Sequence, residues 1–148
     1  MTTVNLNATT IPTLSKATLA GLSPAAISQI TTDSISAFTP AQIKQLSVNQ
    51  ISAMTTAQIA ALTSDQFAAM SVAQIKGITA SQAAAIETRD LAALSASQIG
   101  AFSAAAIANM GTGQITSLST TQVTGLVAAE VQALTTDQVV AMLSLIHI

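Results

Sequence analysis

A large apolar residue recurs every eight positions from Leu14 to Met142 without an insertion or deletion. This first column begins Leu14, Leu22, Ile30, Phe38 and ends Leu126, Leu134, Met142. A second column lies five residues further on. It begins Leu19, Ile27, Ile35, Ile43 and ends Val123, Val131, Val139, with Ala83 its one small member. The phrase is clearest at Leu62-Thr63-Ser64-Asp65-Gln66-Phe67-Ala68-Ala69: apolar, Ser or Thr, two variable residues, Gln, apolar, two small residues. Leu6 and Ile11 fit the same register, so the array is expected to begin near the N-terminus.

Three backbones could carry this period. In an extended strand, spacings of five and three would place the two columns on opposite faces, and the abundant Ala disfavours strands. In one continuous helix, eight residues advance about 800°, so the apolar stripe would drift by about 80° per octad. Pro24 and Pro40 would also interrupt it. The remaining backbone is a helix that restarts in every octad.

The polar residues select the third. Ser or Thr fills the second position in 13 of 16 octads from Ser15 to Thr135, the exceptions being Glu87, Gly111 and Val127. Gln fills the fifth position in 10 of those 16. Ser/Thr-x-x-Gln is a capping box, and the flanking apolar residues stand at N′ and N4, where a hydrophobic staple places them. Pro24 and Pro40 each follow a Ser or Thr, at the first helical position that proline favours. All six acidic residues, Asp33, Asp65, Glu87, Asp90, Glu130 and Asp137, fall between N-cap and N3, facing the positive end of a helix dipole. Lys44 and Lys76 lie near the opposite end, although Lys16 and Arg89 do not.

Helices of roughly five or six residues, about 9 Å long, cannot stand alone because nucleation is costly. They must stack so that the two columns form one continuous core, each buried apolar side chain contributing about 1.5–3 kcal/mol. The expected fold is therefore all-α, an α-solenoid of about sixteen very short helices, one per octad. Ala or Gly at the eighth position, as in Ala53, Ala61, Ala69, Gly77 and Gly125, would permit close approach at each bend. Phe38, Met54, Met70 and Phe102 fall on alternate octads, a hint of two helices per coil that Met110 and Met142 break. Residues 1–13 read as an N-terminal cap or irregular first repeat, and residues 14–142 as the solenoid. The hexapeptide 143–148 breaks the octad, because Leu143 stands where a polar cap is due. It resembles the in-frame translation of a sequencing-library adaptor, so residues 143–148, His147 included, are expected not to be native.

Composition narrows the function. Half of the 148 residues are hydrophobic, but only 7% are charged and 2% aromatic, and Cys is absent. Few varied polar groups remain from which to build a catalytic site. A net charge of −2 gives no basic footprint for nucleic acid. The mean hydropathy of +0.59 does not imply a membrane span, because polar residues interrupt every octad before roughly 18 apolar residues accumulate. Met1 to Leu6 lacks the positive and apolar regions of a signal peptide.

Candidate chemistry is sparse. The many hydroxyls have no Cys or paired base beside them for nucleophilic catalysis, and capping accounts for them. No metal site or cofactor is expected: the acids are spread mainly one to an octad, without the Gly-Asp loops of a calcium repeat. Gly111-Thr112-Gly113 is too short for a phosphate loop. Thr pairs such as Thr31-Thr32 and Thr55-Thr56 leave open an ice- or mineral-binding array. The single charge cluster contains Glu87, Arg89 and Asp90, next to the underfilled Ala83. It reads either as a local contact patch or as a solvated first turn.

The phrase Leu-Ser/Thr-x-x-Gln-Ile-x-Ala, across residues 14–142, resembles the octapeptide tracts of large bacterial exoproteins of adhesin- or haemolysin-like kind. The resemblance implies a surface or secreted repeat region of a longer chain and carries over no catalytic residue. The expected function is a non-enzymatic scaffold or spacer, extracellular or on the cell surface. Its partners would be neighbouring repeats and protein or glycan surfaces, with no nucleic acid and no membrane insertion. The alternatives are the ice- or mineral-binding array and a non-catalytic fragment of an exported enzyme.

Overall fold

The computed structural model describes residues 6–146. A short 3-10 turn, Ile11–Thr13, leads into sixteen α-helices among the described residues. The first five are α1 (Lys16–Ala20), α2 (Pro24–Ser28), α3 (Thr32–Ile35), α4 (Pro40–Gln45) and α5 (Val48–Ser52). The next five are α6 (Thr56–Ala60), α7 (Ser64–Ala69), α8 (Val72–Lys76), α9 (Ala80–Ala84) and α10 (Thr88–Ala92). The last six are α11 (Ala96–Ile99), α12 (Ala104–Asn109), α13 (Thr112–Thr116), α14 (Thr120–Val123), α15 (Ala128–Ala133) and α16 (Thr136–Ile146). No strand occurs among the described residues. The all-α solenoid of short helices expected from the octad is what the chain forms.

The restart can be followed at two bends, where two consecutive residues are extended. Leu46 (φ −65°, ψ 141°) is followed by the cap Ser47 (φ −70°, ψ 160°), and Met70 and Ser71 repeat the pair. The bend uses no positive φ among the described residues, so ordinary residues can occupy it in every octad. The cap hydroxyl then accepts the N–H three residues on, as Thr39 does from Gln42 at 3.2 Å. Pro24 and Pro40 stand at the first positions of α2 and α4.

Capping is not the sole cause of the restart. Glu87 starts α10 with no side-chain cap bond. Gly111 and Val127 are helped only through their own N–H groups, which donate to Gln114 (2.8 Å) and Glu130 (2.6 Å). Burial of the staple supplies the rest. Where the repeat fails at Leu143, α16 runs on through Ile146 and becomes the longest helix at 11 residues. His147 and residues 1–5, including most of the stretch read for a signal peptide, lie outside the described residues.

Both columns line one core. From Ile30 to Met110 every first-column residue is buried, and from Leu19 to Ile115 so is every second-column residue. The coil is larger than the alternating Phe and Met residues suggest. Each helix packs mainly against the third helix before it and the third after it, as α7 does against α4 and α10. Two helices per coil is therefore incorrect; a coil takes between three and four. Each helix with its bend turns the chain by between a quarter and a third of a circle, so two do not bring it back over itself. No described helix is long and apolar enough to cross a membrane.

Close approach between coils requires glycine at a few places. A Cβ on Gly125 would strike the Ala96 backbone, and one on Gly100 would strike the Gly125 carbonyl. Gly77 sits instead against a methyl of the Val48 side chain. Gly77 and Gly125 occupy the eighth position, as anticipated; Gly100, at the seventh, is the partner that the octad did not reveal.

Three outcomes follow, all measurable by urea unfolding. Leu62→Ala, at a fully enclosed site, should cost about 2–5 kcal/mol. Gly113 has open space where a Cβ would go, so Gly113→Ala should stabilise α13 by about 0.5–1 kcal/mol. Gly125→Ala should destabilise, because backbone rather than a flexible side chain blocks the methyl.

Candidate functional site

The residue that does most in each octad is the glutamine. In α7, Gln66 is 1% exposed. Its Oε1 accepts the N–H of its own cap, Thr63, at 2.7 Å. Its Nε2 donates across the coil boundary to the carbonyls of Ile35 (3.1 Å) and Phe38 (2.7 Å), at the end of α3 and the bend before α4. One amide thus serves a donor at the start of one helix and acceptors at the end of another.

The same pair of long bonds, 31 and 28 residues back, is made by all ten fifth-position glutamines. Helix ends leave several C=O groups without partners, and in helices of five residues most carbonyls are end carbonyls. The glutamine ladder supplies donors to those carbonyls. Capping, the role visible in the octad, is only half of what each glutamine does.

Beyond the three N-terminal octads, three octads lack the glutamine. Ala106 occupies the place in α12, where Asn109 instead donates to the Ala80 carbonyl at 2.9 Å. Glu130 keeps the capping bond to Val127 at 2.6 Å. Its carboxyl group brings no amide N–H to the carbonyls of Ile99 and Phe102, which the register places opposite it. Asp90 is the third, and belongs to the charge cluster singled out above.

That cluster divides. Glu87 and Arg89 are solvated, with side chains 49% and 68% exposed, and pair at 2.9 Å between Arg89 Nε and Glu87 Oε2. Such an exposed pair adds little stability. Asp90 is fully buried, so a solvated first turn describes only part of the group. Ser64 donates its hydroxyl to Asp90 Oδ1 at 2.6 Å, and Arg89 Nε lies 3.7 Å from the same oxygen. Asp90 Oδ2 is buried with no hydrogen-bond partner among the described residues. A shallow depression of about 290 Å³ beside the cluster is lined by Thr63, Ser64, Asp65 and Arg89. Glu87, Arg89 and Asp90 are thus brought together, but only the first two face solvent. Ser64 is a member that the sequence did not show, because its link to Asp90 spans 26 residues.

The model of the ALTTAQ repeat matches residues 41–72, 83–120 and 107–144, which together span more than half of the chain. The chain belongs to the ALTTAQ repeat family. The six letters correspond to the eighth position of one octad and the first five of the next. Here Ala133-Leu134-Thr135-Thr136-Asp137-Gln138 departs from them only at Asp137. No curated protein and no solved structure matches the chain. Set against the geometry, the Leu, the first Thr and the Gln of the ALTTAQ phrase are staple, cap and inter-coil clamp.

Exchanging the acid and the amide tests the clamp. Gln66→Glu retains the acceptor for Thr63 but removes the donor to Ile35 and Phe38, and should destabilise by about 1–3 kcal/mol. Glu130→Gln does the reverse and should raise the unfolding midpoint. If capping were the whole role, both exchanges would be nearly neutral.

Proposed function

We propose that this ALTTAQ-repeat chain is a non-enzymatic scaffold or spacer, working as part of a larger bacterial protein at the cell surface or outside the cell. The observation that carries the reading is where the recurring polar groups go. The cap hydroxyls are engaged with helix N–H groups, and the ten glutamine amides are engaged between coils. The chemistry that repeats along the chain holds the chain's own shape. A surface or secreted setting is supported by the likeness of the octad to exoprotein repeat tracts. The exposed faces of the coils, including the Glu87–Arg89 pair, are then available for protein or glycan contact, with no cofactor involved.

The reading is tested at two points. Purified chain should turn over no ester, peptide or glycoside substrate, and turnover abolished by a single Ser substitution would overturn the scaffold assignment. Antibody against the repeat should label intact source cells or their medium; labelling only after lysis would overturn the exported setting. Thermal hysteresis in the purified chain would favour the ice-binding array instead.

A further inference from the structure

The two ends of the solenoid present different chemistry. At the first end the fifth positions are Thr18, Ala26 and Ser34 rather than Gln. Thr18 and Ser34 bond hydroxyl to hydroxyl with their own caps, Ser15 at 2.9 Å and Thr31 at 2.8 Å. The clamping glutamines begin at Gln42, whose acceptors Ile11 and Leu14 belong to the first turn and first bend. The first helices thus hold no amide out toward a coil behind them, and their second-column residues Leu19 and Ile27 are fully covered by the coil ahead.

The last coil, α13 to α16, is the reverse. Its second-column residues Val131 and Val139 are 51% and 39% exposed, whereas the earlier members of that column from Leu19 to Ile115 are at most 1% exposed. Leu126 and Leu134 are only half-buried. The last clamp is Gln138 on Ile107 and Met110. By the same register the carbonyls of Ile115 and Leu118, Val123 and Leu126, and Val131 and Leu134 stand where further glutamine amides would land. This surface repeats, in side chains and in backbone acceptors, the face that every earlier coil buries.

We propose that this edge is a docking surface for one further coil of Ser/Thr-x-x-Gln-Ile octads, entering in register behind α16 and held by the same glutamine ladder. The ladder is then directional: each new coil reaches back with its glutamines, and this edge receives them. A second copy of residues 1–148 does not fit. Its first helices carry no amide at the fifth position, and its later glutamines are already engaged with their own preceding coil. The proposal rests on the inter-coil packing and stands whether or not the scaffold reading holds.

The test replaces residues 143–148 with a copy of residues 39–70, which enters at the cap position after Met142. The copied Gln42, Gln50 and Gln58 then fall opposite the three carbonyl pairs. Hydrogen exchange should slow by about tenfold or more at the Val131 and Val139 amides, and the added coil should itself be protected. The same extension with its four fifth-position glutamines, copied from Gln42, Gln50, Gln58 and Gln66, changed to Glu should lose that protection. An extension that exchanges like unfolded chain, or is protected equally without its glutamines, would overturn the proposal. Sedimentation of unextended 1–148 should show a monomer. A concentration-dependent dimer abolished by Val131→Lys would overturn it in favour of a second copy.

Discussion

The bond pair made by a buried glutamine is the interaction on which this fold depends. A solenoid built from five-residue helices has an unusual problem: almost every backbone group belongs to a helix end, and helix ends are not self-satisfied. The cap hydroxyl meets one donor at each N-terminus. The glutamine meets a second donor with Oε1 and the C-terminal acceptors of a helix in the preceding coil with Nε2. Apolar burial supplies most of the stabilisation but has no direction and does not set register. The ladder fixes the register within the octad, because an amide displaced by fewer than eight residues would miss a carbonyl pair.

This explains the particular side chain. Glu can fill the capping role, as Glu130 does for Val127, yet it offers no amide to the coil behind. Asn is one methylene shorter. Ser and Thr can accept locally but cannot span the coil boundary, and where they occur, at Thr18 and Ser34, they turn back to their own caps. Gln is long enough and carries an acceptor and a two-hydrogen donor on one planar group.

Much of this architecture was legible in the octad. The columns, the caps at Thr39, Ser47 and Thr55, the prolines at the first helical position and the restart itself all follow from contacts within eight residues. The coil size did not, because the octad looks the same whatever lies 28 residues away, and the spacing of Phe38, Met54, Met70 and Phe102 pointed elsewhere. One sequence signal for the ladder was present in the distribution of Gln. A purely local capping role would favour Gln equally at Thr18, Ala26 and Ser34, but Gln starts only at Gln42. The charge cluster was legible as a cluster. The burial of Asp90 was not, since it follows from occupying a slot defined by Ile59 and Leu62, residues that the sequence gives no reason to pair with it.

The octads without the clamp show how cooperation along the array works. Asp90, Ala106 and Glu130 are separated by at least one glutamine-bearing octad: Gln98 lies between the first two, and Gln114 and Gln122 between the second pair. With three to four helices per coil, each coil boundary therefore keeps some of its ladder. In a quasi-one-dimensional stack, stability is close to a sum of terms within units and between neighbours. A single missing clamp then weakens one boundary locally, while consecutive losses would leave a boundary held by undirected apolar contact alone. The buried Oδ2 of Asp90, with no partner among the described residues, is tolerable because Gln82 and Gln98 on either side still fix the register.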